Sequence, residues 1–389
     1  MKRSTDRIIV SHAGTLPRPP ALQELFAKGP EAQAAFDQEL TAAVGEIVAK
    51  QAEIGIDVVN DGEIGKRGAF IGYIRDRMTG IEGRPDLHNA DRDAGISGRE
   101  RREFPGYFAA GFGVAFPTGE GSTTFAIAQY PFVVSGPLTY VGHDVVASDI
   151  ARLKAACEGL DVEPYLPAIS PGTIEHWLWR ADPYKTDEEF LFAIGDVMHE
   201  EYKAITDAGV VLQIDDPDLP DAWQMFPDMD LEEYRKYAAL RVEALNHALR
   251  DIPEELIRFH TCWGSFHNPH RNDVPLRHIV DLILSVKAEC YSIEASNARH
   301  EHEWAVWAEV GLPEGKTLMP GVVGHATDLV EHPELVAQRL IRYAEVIGKE
   351  NVIAGTDCGV GSRVHREVAW AKLEDLAKGA AIASDKLWD

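Results

Sequence analysis

Short runs of apolar residues recur along the chain, and each ends in a polar or glycine-bearing loop and is followed by a stretch with helical apolar spacing. Eight such runs stand out: RIIV at 7–10, IDVVN at 56–60, YLPAIS at 165–170, VVLQID at 210–215, IRFHTC at 257–262, CYSIEA at 290–295, TLMPGVV at 317–323 and NVIAGT at 351–356. Eight strands alternating with helices predict an α/β chain closed as a (β/α)8 TIM barrel. Two intervening helices announce themselves through their ends. Residues 186–209 open with Thr186 followed by acids, a capping pattern, and stop at Gly209. Residues 332–350 carry Pro333 in the first turn, where a missing N–H costs nothing.

One stretch breaks the rhythm. Residues 68–150, between the second and third strands, are rich in Gly, Arg and aromatic residues, and they read as an insertion with some strand and helix of its own. Without it the chain allots about 38 residues to each strand–helix unit, close to an ordinary barrel with long loops. The expected organisation is one catalytic barrel over residues 1–389 interrupted by this insertion.

Composition narrows the partners. With 38 basic and 63 acidic side chains among 389 residues, the formal charge of −25 repels nucleic acid and anionic membranes, leaving small molecules as the expected ligands. An oligomer of this chain stays open. The opening MKRSTDRIIV lacks the apolar stretch of a signal peptide and no run is long enough to span a membrane, so the cytoplasm is the expected compartment. Four scattered cysteines, Cys157, Cys262, Cys290 and Cys358, do not make a disulfide framework.

The chemistry-bearing residues gather at the ends of the predicted strands, the side on which barrels of this kind build active sites. His260 and Cys262 lie two apart and so leave one face of the fifth strand, while neighbouring strands end at Glu294 and Cys358. Two sulfurs, a nitrogen and a carboxylate suit tetrahedral zinc. Two thiolates and a carboxylate over-neutralise the dication, so such a centre is a poor generator of hydroxide and a good support for a substrate thiolate, which points to alkylation of sulfur. Taken one at a time, a barrel cysteine is more often a small buried apolar group and a lone histidine a hydrogen-bonded rim residue. Cys290, about 13 Å further down its strand than Glu294 at ~3.3 Å per residue, reads as core. Cys157 falls in a helical pattern, and His300 and His302 in a polar run read as a solvated loop or helix start.

The segments SHAGTLPRP, NDGEIGK, QIDDPDLP, FHTCWG, SIEAS, PGVVGHATDLVEHPE and GTDCGVGSR occur in an order that resembles the barrel of cobalamin-independent methionine synthases and their single-barrel relatives. The resemblance covers nearly all of the chain outside 68–150. It implies zinc on His260, Cys262, Glu294 and Cys358, homocysteine sulfur on the metal, and a methyltetrahydrofolate as methyl donor. It further implies that Glu63 and Asp215 grip the substrate ammonium, that Thr15 meets its carboxylate, and that His325 acts as an acid near the donor with Asp328 in reach to orient it. Trp177 and Trp179 fall where an aromatic lies against the pterin, although core packing accounts for them equally well.

The chain also departs from that pattern. Full-length members carry two barrels, and the insertion with Arg92, Arg99, Arg101 and Arg102 has no counterpart. Those arginines suit an anionic group, but the acids between them favour a solvated charged loop. Three functions therefore stand at this point. The first is methyl transfer to homocysteine, the second attack of a zinc-bound thiolate on an epoxide or another activated alkyl donor, and the third non-catalytic zinc or thiol binding.

Overall fold

The computed structural model describes residues 1–66, 69–87, 97–111, 131–264, 268–361 and 363–389. Eleven strands run through them: β1 Ile9–Val10, β2 Val58–Val59, β3 Met78–Gly83, β4 Phe132–Tyr140, β5 Glu163–Ile169, β6 Leu178–Trp179, β7 Val211–Asp215, β8 Ile257–Thr261, β9 Cys290–Ile293, β10 Thr317–Val323 and β11 Ile353–Thr356. Eight of them form one sheet in the order β1-β11-β10-β9-β8-β7-β5-β2, with every pairing parallel. Each of the eight apolar runs holds one of these strands. The two-residue strands β1 and β2 bring the edges together: Asp57 N–H donates to Val10 O at 2.9 Å, and Ser11 Oγ donates to Val58 O at 3.0 Å. The sheet is thereby nearly closed into a (β/α)8 barrel.

Inside, Ile9, Val58, Tyr165, Val211, Cys290, Met319 and Ile353 form a small apolar cluster with one residue from each of seven barrel strands. Cys290 is therefore core. The remaining barrel strand, β8, contributes Arg258, whose buried guanidinium donates to Gln213 Oε1, Ser11 Oγ and His12 O and lies 3.9 Å over the Tyr165 ring. A cation held by neutral acceptors separates this apolar floor from the polar C-terminal strand ends.

The helix ends behave as their sequences dictate. Thr186 caps the helix Asp187–Asp207 by accepting Glu189 N–H at 3.1 Å, and Gly209 follows it with φ 73°. Pro333 opens the helix Pro333–Ile347. Cys157 is the last residue of the helix His143–Cys157 and packs half-buried against the main core.

The 68–150 stretch supplies β3 and β4 of a second sheet in the order β3-β4-β6, antiparallel between β3 and β4, with β6 joining parallel from beyond β5. Buried Glu201, on the helix Asp187–Asp207, fastens this sheet to the barrel. It accepts from the hydroxyl groups of Tyr73 and Tyr140 and pairs with Arg77 at 2.9 Å. The expected boundary at residue 150 falls inside the helix His143–Cys157, which packs on the helices Gln33–Glu53 and Asp187–Asp207 and leads into β5. The helix is continuous across residue 150 and buries Val146 and Leu153, so no element ends at the expected border.

The arginines of the insertion are mostly spent on the fold. Arg99 donates to the carbonyls of Trp223 and Met229 and lies 3.4 Å over the Trp223 ring. Arg101 lies over Phe108, and Arg102 pairs with Asp228 at 2.8 Å. Arg92 falls outside the described residues.

Candidate active site at the C-terminal ends of the barrel strands

Parallel register places the first group. β7 pairs with β8 so that Asp215 stands beside His260, and β8 pairs with β9 so that His260 stands beside Ser292. His260 Nδ1 engages Ser292 Oγ at 2.9 Å, and its buried Nε2 has no hydrogen-bond partner. His260 belongs to a group with Cys262 and Cys358 that offers one donor atom each, all within 4.8 Å of one another. The two sulfurs are 3.9 Å apart. A disulfide needs about 2.05 Å, whereas two thiolates on a tetrahedral zinc, each ~2.3 Å from it, stand about 3.8 Å apart. The donor types, the spacing and the orphaned imidazole nitrogen fit a metal ion.

Cys262 Sγ donates to Cys358 Sγ. The hydrogen bond from Cys262 holds Cys358 well below the usual thiol range, and the same bond together with burial pushes Cys262 well above it. Burial opposes a charged His260, but the negative Cys358 sulfur beside it prevails and raises its pKa. Binding a metal would displace these protons, as thiolate sites require.

Glu294 stands in the adjoining group with His325 and Asp357, all buried and also within 4.8 Å of one another. Its Oε2 accepts the Trp263 N–H at 2.8 Å and its Oε1 accepts Asn297 Nδ2 at 2.9 Å. Three of the four expected ligands are thus clustered, with the fourth in the neighbouring triad. Burial lowers the His325 pKa against the pull of Cys358 and Glu294. Asp357 accepts from the amides of Ala295 and Ser296 at 2.8 Å each, and burial still pushes it up to about 8. Asp328 is exposed on the loop after β10, and Glu294 and Asp357 are the carboxylates grouped with His325.

A second region lies across the barrel mouth. Glu63 has φ 55° and its amide is held by Asp61 Oδ1 at 2.9 Å. Its Oε1 accepts Thr15 Oγ1 at 3.0 Å, and its Oε2 accepts Lys66 Nζ at 2.8 Å. A side chain on Gly14, itself at φ 137°, would start 2.6 Å from Glu63 Oε1, so only glycine allows this approach. Gln213 Nε2 bridges the two sides by donating to Ala13 O at 2.8 Å and to Asp215 Oδ1 at 2.7 Å. Burial pushes Asp215 up to about 7, with His260 and Lys66 opposing and Glu63 reinforcing the rise.

Of the two tryptophans, Trp177 packs edge-on against Phe70 with ring centroids 6.1 Å apart, and Trp179 lies in β6, where it pairs with Val133 of the second sheet. Trp179 thus belongs to the second sheet, whereas Trp177 meets the helix Ala69–Arg77.

Several contributors escaped the sequence reading. His300 is buried, with Nδ1 2.8 Å from Glu303 and Nε2 3.1 Å from Asp273, and it stacks on Trp263 at 4.0 Å. The helix-start reading holds, since His300 directly precedes the turn Glu301–Glu303, but the position is buried rather than solvated, because its contacts come from elsewhere in the fold or from one helical turn on. His302 is exposed as expected. Asp216, Asp218 and Asp221 form a buried acidic row after β7, in which burial and mutual repulsion push Asp218 up to about 8. The run Asp215-Asp216-Pro217-Asp218 was visible in sequence, but its acids are a solvated surface in most chains.

The fold and this face together define a (β/α)8 barrel with a buried thiol, imidazole and carboxylate site suited to a metal ion. The model of the cobalamin-independent synthase catalytic domain matches residues 135–381, most of the chain, and the chain belongs to that family. It is 23% identical over 380 residues to a methionine synthase of Sulfolobus acidocaldarius, covering 96% of this chain and 91% of that one. To the methionine synthase of Thermococcus kodakarensis it is 25% identical over 227 residues, covering 57% of this chain and 58% of that one. A 5-methyltetrahydropteroyltriglutamate–homocysteine methyltransferase of Bacillus velezensis is 26% identical over 279 residues, which span 69% of this chain but only 34% of that longer protein. Among solved structures, a B12-independent methionine synthase from Shewanella sp. W3-18-1 superposes with a TM-score of 0.70 at 19% identity, covering 98% and 99% of the two chains, a likeness of fold. Among the described residues no helix is long and apolar enough to cross a membrane.

Proposed function

We propose that the chain transfers a methyl group from a methyltetrahydrofolate-type donor to the sulfur of homocysteine, giving methionine, with zinc held by His260, Cys262, Cys358 and Glu294. The observation that carries this reading is the pair of sulfurs 3.9 Å apart beside the unpartnered His260 Nε2. Family membership and the names of the relatives support the choice of substrates. Zinc in such a site holds a substrate thiol as the thiolate at neutral pH while leaving it electron-rich.

The chain's own groups do the rest. Asp215 and Glu63 receive the substrate ammonium across the barrel mouth, and Thr15 lies where the carboxylate ends. Sulfur forms the new bond to carbon as the carbon–nitrogen bond of the donor breaks, and the electron pair left on nitrogen takes up a proton. His325 supplies that proton. An imidazolium disfavoured by burial is a stronger acid than an exposed one, and the negative charges of Glu294 and Cys358 partly offset that burial. Trp177 and Trp179 remain the aromatics proposed for the pterin.

The test offers homocysteine and a sulfonated thiol, each with a methyltetrahydrofolate and with an epoxide, to metal-free and zinc-loaded protein, and identifies the S-alkyl product by mass. Methionine formed only by the loaded protein is the expected result. Alkylation of the sulfonated thiol alone would replace this reading with the epoxide-type one, and thiol binding with no product would leave a binding protein.

A further inference from the structure

Glu63 is the acid reserved for the substrate ammonium, yet both of its oxygens are already engaged by the chain. Thr15 donates to one at 3.0 Å, and the Lys66 ammonium sits on the other at 2.8 Å. Lys66 also donates to Pro167 O at 2.7 Å, and its side chain is only 21% exposed, so this cation is built in rather than passing by. The carboxylate has little freedom to turn away, because the Glu63 amide is pinned by Asp61 and Gly14 closes on Oε1. The partner acid, Asp215, has one oxygen held by Gln213. An ammonium group therefore occupies the site before any substrate arrives, and a second one can reach Glu63 only by displacing or crowding the first.

We propose that Lys66 is a specificity determinant of the thiol subsite: its ammonium competes with that of an α-amino substrate for Glu63. The inference rests on the amino-acid reading of the site. Its consequence is a preference for amine-bearing ligands much flatter than a free pair of carboxylates would give, since the amine gains only what remains after Lys66 is displaced. A neutral side chain at position 66 returns Glu63 to the ligand and steepens the preference. The three-residue spacing from Glu63 in NDGEIGK is what delivers the ammonium to the carboxylate.

The test uses methionine and its deaminated analogue 4-(methylthio)butanoate, thioethers that probe the ammonium subsite without needing a thiolate. Dissociation constants of both are measured by calorimetry on zinc-loaded wild type, Lys66→Met and Lys66→Gln, with folding checked by circular dichroism. The ratio of the analogue's constant to that of methionine is expected to rise at least tenfold in Lys66→Met. Lys66→Gln, which keeps a donor for Pro167 O but no charge, is expected to move the same way and serves if the Met variant does not fold. A ratio that stays or falls while methionine still binds overturns the proposal alone, showing that Lys66 supports Glu63 or meets the substrate carboxylate. Failure of both compounds to bind wild type and variants overturns the amino-acid reading and this proposal with it.

Discussion

Replacing His300 by glutamine tests how the loop after β9 is held. Both ring nitrogens face carboxylates, Asp273 at 3.1 Å and Glu303 at 2.8 Å, an arrangement that only the doubly protonated ring satisfies. Burial alone would favour the neutral ring, but the two acids outweigh it and raise the pKa from 6.5 to about 9. At ~1.4 kcal/mol per pKa unit, the shift corresponds to about 3 kcal/mol of stability. The sign follows from proton uptake. Between these two values the folded chain holds a proton that the unfolded chain has released, so the contribution is complete below pH 6.5 and disappears as the pH rises through about 9. Urea unfolding of wild type and His300→Gln from pH 6 to 9.5 should show a gap of about 3 kcal/mol at the acid end that closes toward the alkaline end. Subtracting the variant removes the other titrating groups from the comparison. A gap that stays constant across this range would refute the charge argument and leave only lost stacking on Trp263.

The other expectations concern the site and its surroundings. Cys262→Ser and Cys358→Ser should lose bound zinc, measured by elemental analysis after gel filtration, while Cys157→Ser and Cys290→Ala keep it; full zinc in the first two would discard the ligand set. Asp218 is raised from 3.8 to about 8, so stability is lost as the pH rises between these values, where only the folded chain keeps the proton, and Asp218→Asn should gain progressively on wild type from pH 5 to about pH 8 in thermal unfolding. An unchanged difference would mean that the carboxyl is charged throughout. Gly14→Ala places a carbon against Glu63 at a backbone angle suited to glycine and should cost roughly 1–3 kcal/mol and weaken methionine binding, checked by unfolding and calorimetry. Wild-type behaviour in both would show that Glu63 moves freely.

The sequence by itself determined the eight-strand alternation, because each barrel strand is short, apolar and followed by helical apolar spacing, and such patterns are local. It also determined that His260, Cys262, Glu294 and Cys358 share one rim, since the period of a strand and the ordering of a barrel are enough to place them. What it left undecided depends on contacts between distant segments. The helix His143–Cys157 docks on helices from both sides of it in sequence, Trp177 meets Phe70 of the helix Ala69–Arg77, and Trp179 finds its neighbour in a sheet whose strands come from either side of β5. The side on which Glu294 leans, toward the Trp263 amide and His325, follows from the turn after β8. His300 looked solvated because polarity of neighbours in sequence carries no information about carboxylates folded over it. Lys66 shows the same limit: the motif holds both Glu63 and Lys66, but only the tertiary structure decides that the cation turns inward onto the acid and the Pro167 carbonyl rather than out to water. Periodicity reports which face of an element is buried, whereas the pairing of buried charges is settled by whichever segments the closed barrel brings together.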